Sequence, residues 1–360
     1  MLQQRTQMLI GLLCVGALLP ALEQAPVTSV DRFNRASVRA FYNTEYAKPQ
    51  AYAINWTGDV DTCDPGTVDA NYRNGTVHRV NFFRMLVGLP TVGLNATNSA
   101  KCQDMALMIR ANNALSHTPP TSWDCYTADG AEAAGKSNLA RGIGGHGAIS
   151  LYMDDPGAGN EACGHRRWIL YPRLSDVGSG STPNSNALWV ITTLAARPAT
   201  PSYVAWPNEG YAPIPLLPGS KRWNVTIGGA DFASATVSMT RNGSPVSVNV
   251  IHRNQNFADR SIGWTSSSLP TSGTAVDGDV YAITINNIGN WTQTSLSYQV
   301  IVMDPSVSGT VRTITINPVG AENWDCSPAG TDVSTGGQSI HTDLDPAVTH
   351  TLTPVSGGPG

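Results

Sequence analysis

Charge is scarce in this 360-residue chain: Lys and Arg number 22, Asp and Glu 26, and the four types make up 13% of the residues. The net charge of -4 is spread without a basic stripe, which excludes nucleic acid and anionic membrane as principal partners. None of the six cysteines forms a Cys-x-x-Cys pair, so a zinc ribbon is excluded. His-Glu-x-x-His and Gly-x-Ser-x-Gly are missing too, which removes two common hydrolase signatures. Only one long apolar run occurs, MLIGLLCVGALLPAL at 8–22. It falls short of the roughly 20 residues a spanning helix needs and is broken by Pro20. With Arg5 ahead of it and Glu23, Gln24 and Ala25 behind, it reads as a secretory signal over 1–25. The expectation is a secreted chain, extracellular or periplasmic, with no transmembrane segment after cleavage.

What remains is apolar enough for real cores, with 41% hydrophobic residues, and too long for one ordinary domain. The texture predicts folded domains over 26–197 and 198–305. An extra strand at 310–316 and a disordered tail rich in Gly, Ser, Thr and Pro complete the remainder, 306–360. Four cysteines, Cys63, Cys102, Cys125 and Cys163, fall in the first domain. In an oxidising compartment they predict two disulfides, with all three pairings open and the state of Cys326 undecided.

Apolar spacing in the first domain predicts a helix capped by Thr76, with Val77, Val80, Phe83 and Val87 on one face and Gly88 and Pro90 at its end. A second helix starts at Asn98 or Ser99 and closes at His117, because Thr118 precedes Pro119 and Pro120. Short helices are expected in GAEAAGKSNLARG (130–142) and AISLYMD (148–154), and buried strands in CGHRRWILYP (163–172) and ALWVITTL (187–194). The first domain is therefore α/β. Past Arg197, a linker and approach loop lead to period-two runs at 223–227, 235–240, 246–251, 280–285 and 298–303, with an Asn242-Gly243 turn. That spacing predicts an all-β, immunoglobulin-like sandwich.

Seven histidines in such a chain are mostly packed or solvated residues. His117, at a helix exit, and His165, in Cys163-Gly164-His165, stand out as candidate cleft residues, with His146 between Gly145 and Gly147 as a third. Trp168, Ile169 and Leu170 read as core strand, Arg166 and Arg167 as solvated or paired with Asp154-Asp155, and Tyr152 as packed beside a cleft. Sequons at Asn55, Asn74, Asn95, Asn224, Asn242 and Asn290 mark surface where a host glycosylates.

The order Leu115-Ser116-His117, AAGKSNLARG, ISLYMDDPG and CGHRRWIL resembles the CAP superfamily: cysteine-rich secretory proteins, insect venom antigens and plant pathogenesis-related proteins. The resemblance covers 68–194 and is nearest the bacterial secreted branch. It implies an α-β-α sandwich with a cleft of two histidines and two acidic residues, which in some members binds zinc or another divalent cation. By motif the histidines fall on His117 and His165, and the second acid on Asp155, or on Asp154 if the turn shifts by one. The first acid falls on Ser137, ahead of Asn138 and Leu139, which departs from the pattern. Losing that carboxylate weakens the hold on a hard cation more than on zinc. Glu132 replaces it only if the turn before Gly135 brings it inward.

The resemblance implies a binding protein, with a divalent ion or a small ligand, lipid included, in the cleft. The sandwich would contact the cell envelope, matrix or another protein. The alternatives are a metal-dependent extracellular hydrolase and an adhesive or structural module with a vestigial cleft. Ser137, His165 and Asp155 would also suit a nucleophile, base and orienter, but no nucleophile elbow supports a serine hydrolase.

Overall fold

The computed structural model describes residues 29–254 and 257–307, and beyond them the backbone of five short strands. The signal at 1–25 lies outside the described residues. Among those described, no helix is long and apolar enough to cross a membrane.

The first domain is a three-layer α/β structure. Helices α1 (Arg35–Phe41), α2 (Ala70–Leu86), α3 (Ala96–Asn112), α4 (Ala128–Lys136), α5 (Gly145–Asp154) and α6 (Gly164–Ile169) surround a small sheet. Its strands are β1 (Gly93–Leu94), β2 (Ser137–Arg141), β3 (Asp176–Thr182) and β4 (Ser185–Trp189), in the order β1-β3-β4-β2. Alternation along the strands divides the core. Leu139, Ala187 and Trp189 face Met105, Met108 and Ile109 of α3 and Ala133 and Ala134 of α4. Ala140 and Leu188 face the opposite layer, with Phe83 and Leu86 of α2 and Ile149 and Met153 of α5.

Helix starts lie earlier than apolar periodicity suggested, because the caps are polar residues upstream of it. Asp69 accepts from the backbone N–H of Asn71 and starts α2, so Thr76 sits mid-helix with its hydroxyl donating to Tyr72 O at 3.2 Å. Asn95 caps α3 the same way through Asn98. The segment 163–172 is not a strand: Gly164–Ile169 is helical, preceded by Cys163 in the left-handed region at φ 52°. A run of four apolar residues there satisfies a short buried helix as well as a strand.

The strand β3 has the sequence DVGSGST, too small and polar to read as a core strand. Its composition follows from how close α3 comes. A Cβ on Gly180 would lie 2.2 Å from the backbone of Cys102, and one on Gly178 would lie 2.6 Å from that of Asn98.

The second domain comprises β5 (Val204–Trp206), β6 (Gly210–Pro213), β7 (Arg222–Ile227), β8 (Thr236–Arg241), β9 (Ser244–Val246), β10 (Asn249–Arg253), β11 (Arg260–Thr265), β12 (Val280–Asn286) and β13 (Ser295–Met303). One sheet runs β10-β11-β7-β5, the other β6-β13-β12-β8-β9. Pairing is antiparallel except between β6 and β13. Trp223, Val225, Ile262 and Trp264 from the first sheet and Tyr281, Ile283, Leu296 and Val300 from the second share one core, which makes this a β-sandwich. Asn242 (φ 49°) and Gly243 (φ 81°) form the β8–β9 turn expected of a primed hairpin. The stretch expected to be a linker supplies β5 and β6, and β11 had no forecast. Beyond residue 307, strands occupy Ile314–Ile316, Asn323–Ser327, Thr331–Asp332, Ser339–Thr342 and Thr351–Val355. The rest of the tail, and the side chain of Cys326, lie outside the described residues.

The domains are not joined by a loose linker. Trp206, Tyr211, Ile301 and Met303 of the sandwich belong to the same buried cluster as Phe83 and Leu86. Arg35 of α1 pairs with Asp277 at 2.8 Å, and Arg39 and Asn43 both donate to Pro305 O. Cys63 and Cys125 form a disulfide. Cys102 and Cys163, expected in a second bridge, are free and buried. Cys102 faces the sheet, with its sulfur 3.6 Å from Ser137 Oγ and its pKa pushed up to about 12 by burial, whereas Cys163 sits at the N-cap of α6.

Candidate functional site

His117 lies in the loop after α3, which ends at Asn113 in the left-handed region, φ 45°. Its Nδ1 is 2.7 Å from the carbonyl oxygen of Ala134 in the last turn of α4. A carbonyl only accepts, so Nδ1 carries the proton, and Nε2 makes no hydrogen bond to the described residues. His165, the second residue of α6, repeats this arrangement: its Nδ1 is 2.8 Å from Asp155 Oδ1. In the neutral form both imidazoles are thus the Nδ1–H tautomer, which leaves Nε2 as the acceptor nitrogen.

The ring of His165 is further held from below and behind. Tyr152 stacks on it at 5.5 Å and 19°, while the Tyr152 hydroxyl donates to Asn138 O at 3.0 Å. Asn138 Nδ2 in turn donates to His165 O at 3.0 Å. Burial raises the Tyr152 pKa well above that of an ordinary phenol, so it stays a donor.

Two adjoining hollows meet at the histidines, and His117, His165 and Asn160 line both. One, of ≈ 400 Å³, also has Leu115, Leu139, Leu151 and Pro156 on its wall. The other, of ≈ 420 Å³, is walled by Trp168, Val190, Ile191 and Phe257, with Ser137 and Asn138 at its base. Phe257 belongs to the sandwich, so the cleft is built by both domains. The sequence offered no signal for this: Phe257 stands in a polar stretch, and its distance along the chain from α6 hides the contact.

The acidic candidates lie elsewhere. Asp155, expected among the ligands, has no solvent exposure and stands behind His165; its second oxygen accepts from the Arg166 backbone N–H at 3.3 Å. It orients a histidine rather than facing the cleft. Asp154 accepts from Ser220 N at 2.8 Å and tethers α5 to the sandwich. Glu132 turns outward between Lys101 and Lys136, whose hydrogen bonds draw its pKa down to about 2. Ser137 is buried with its hydroxyl toward Cys102, and no hydrogen bond joins it to His165 among the described residues. His146 contacts the edge of Tyr72, and burial, then Arg79, lowers its pKa; it lines neither hollow.

Arg166 and Arg167, expected to be solvated or paired with the 154–155 turn, are both buried, and Arg166 does pair with that turn. Arg166 donates to Met153 O, Asp154 O, Arg222 O and Asn224 Oδ1, and Arg167 to Phe257 O and Asp259 O. The carbonyls left bare at the end of α5 thus receive a guanidinium that also reaches the second domain.

Among the described residues no group of three His, Cys, Asp or Glu is placed to hold a metal ion. His117 and His165 share two features with zinc-ligating imidazoles. Each has the anchored Nδ1–H and open Nε2 of a ligating imidazole, but the third protein donor usual in zinc sites is missing.

Residues 77–192 match the cysteine-rich secretory protein family, CAP. No curated protein and no solved structure matches the chain. The matched span runs from α2 to just past β4 and includes both cleft histidines, so the first domain of this chain is a CAP domain.

Proposed function

We propose that this is an exported binding protein whose two-histidine cleft takes a small ligand, with or without an exchangeable divalent ion. The paired tautomers carry the reading: Ala134 O and the Asp155 carboxylate each fix an Nδ1–H and leave an Nε2 lone pair at the junction of the two hollows. A zinc ion bound there would use those two nitrogens and complete its coordination with water or ligand atoms, supplying a Lewis-acidic anchor. The chain itself holds the two rings rigid and offers apolar walls on either side. The sandwich, immunoglobulin-like in strand spacing, would act as the module that meets an envelope component, matrix or protein. The Cys63–Cys125 bridge is consistent with an oxidising destination.

A hydrolase reading draws on the Asp155–His165 pair, which resembles a base with its orienting carboxylate. It is the weaker one, because among the described residues no hydroxyl or thiol hydrogen-bonds to His165. Zinc titration by calorimetry near neutral pH, on the purified protein and on the His117→Ala, His165→Ala double variant, tests the reading. Saturable binding lost in the variant supports it. Equal uptake by both proteins would assign the ion to adventitious sites and leave only the metal-free form of the reading.

A further inference from the structure

We infer that the ligand is a neutral phenolic compound, held with its aromatic ring against Trp168 and Phe257 and its hydroxyls donating to Nε2 of His165 and His117. The inference rests on the binding-protein reading above and gives the cleft a ligand class and a specificity-determining residue, Phe257.

The first argument is hydrogen-bond polarity. Both imidazoles donate through Nδ1 to groups of the chain and both line the cleft, so in the neutral form each offers it an acceptor at Nε2. A ligand that brings only acceptors, such as an ether or ester, would leave these two nitrogens unmatched. One that brings hydroxyl donors satisfies them, and mismatches of this kind are strongly discriminated against.

The second is the wall. Trp168 and Phe257 lie at 6.2 Å between centroids and 26° between planes, near parallel and each half-buried. With Val190, Ile191 and Ala162 they form an apolar flank to the ≈ 420 Å³ hollow, a size suited to a small ring compound. The residues lining that hollow include no carboxylate, ammonium or guanidinium group, so a multiply charged ligand would meet no compensating charge there. A sugar also offers hydroxyls, but it needs polar partners around its whole rim, and this wall gives them on one side only.

The third is how Phe257 is held. The Arg167 guanidinium sits 4.2 Å over its ring and donates to its carbonyl at 2.8 Å. A Cβ on Gly164 would come within 3.3 Å of the same ring. The helix α6 therefore carries His165 on the cleft side and, through Gly164, Arg167 and Trp168, seats the aromatic ring that the other domain contributes. Phe257 is positioned as a wall, not left as a loose surface side chain.

The test is a fluorescence or calorimetric titration of the full protein with 2,3-dihydroxynaphthalene, with 2,3-dimethoxynaphthalene and N-acetylglucosamine as comparison probes. The diol is expected to bind saturably at one site, at least tenfold more tightly than the dimethoxy compound and than the sugar. Phe257→Ala should weaken diol binding about tenfold and Phe257→Leu less, with far-ultraviolet circular dichroism and the thermal transition confirming that both variants fold. Equal binding of diol and dimethoxy compound, stronger binding of the sugar, no effect of either substitution, or no diol binding would each overturn the inference. If zinc titrates the histidines while the diol does not bind, the phenolic inference fails alone. If neither binds, the phenolic inference and the metal-bearing form of the binding-protein reading fall together.

Discussion

The two domains solve the problem of large buried side chains in opposite ways. The CAP domain buries cations: Arg79, Arg84, Arg166 and Arg167 are among its largest fully buried groups. Their guanidinium groups are met by backbone carbonyls. Arg84 alone donates to Pro90, Ile169, Tyr171 and Leu174, and its pKa drops to about 10 through burial. The sandwich domain buries tryptophans instead. Trp206, Trp223 and Trp264 are nearly inaccessible, and their indole N–H groups have no hydrogen-bond partner among the described residues. The contrast follows from secondary structure. Short helices with broken ends leave carbonyls that need donors, whereas a ladder of paired strands satisfies its own backbone and leaves room for bulk. Polar substitutions should therefore be felt most in the first domain and shape substitutions in the second.

The sharpest way to break that contrast is Arg166→Ala. It orphans the carbonyls of Met153, Asp154 and Arg222 and the Asn224 side-chain oxygen together, and should cost about 4 kcal/mol in a denaturant titration. Removing the disulfide, which closes a loop of 62 positions, by Cys63→Ala, Cys125→Ala should cost a similar amount, about 4 kcal/mol from loop-closure entropy. Adding a thiol reagent to the native protein should leave Cys102 and Cys163 unmodified until it unfolds.

A third test uses pH at the junction of the domains. His252 donates from Nδ1 to Glu161 O and accepts from Ser261, and burial first, then Arg167, lowers its pKa to about 4. Because the folded value lies below the unfolded one near 6.5, the unfolded chain binds the extra proton between them. Stability is full above that unfolded value and falls as pH drops toward 4, by about 3 kcal/mol at most. Urea midpoints measured across this window should slope upward with pH, and His252→Gln should flatten the slope. The smallest effect belongs to Trp264→Phe. Deleting an indole N–H that has no partner costs only packing, about 1 kcal/mol, and a loss near that of Arg166→Ala would erase the contrast.

Legibility in the sequence divided along the same line. The strands β7, β8, β12 and β13 were readable because apolar and polar residues alternate along each. The helix α6 was not, because Trp168, Ile169, Leu170 and Tyr171 form an unbroken apolar run that carries no period. Nor was β3, where the proximity of α3 excludes the large side chains that would have marked a strand. His117 and His165, singled out by the glycine, proline and helix exit around them, both line the two hollows. The role of Asp155 was misplaced: motif order gives its position in the chain but not which side of His165 it occupies. Phe257 could not be found at all, since it reaches the cleft only through contact between domains.

The contacts of α1 bear on the order of events during synthesis. Arg35 waits for a partner 242 positions later, and Arg39 for one 266 positions later. Phe41 can already stack on Phe82 of α2, but nearly the whole sandwich must leave the ribosome before the first helix completes its polar contacts. Until then the nascent chain carries an early helix with its polar partners still unmade, a long-range closure of the kind that slows folding. A holding factor that shields this stretch would be of most use at the start of the chain's life, and redundant once Pro305 has arrived.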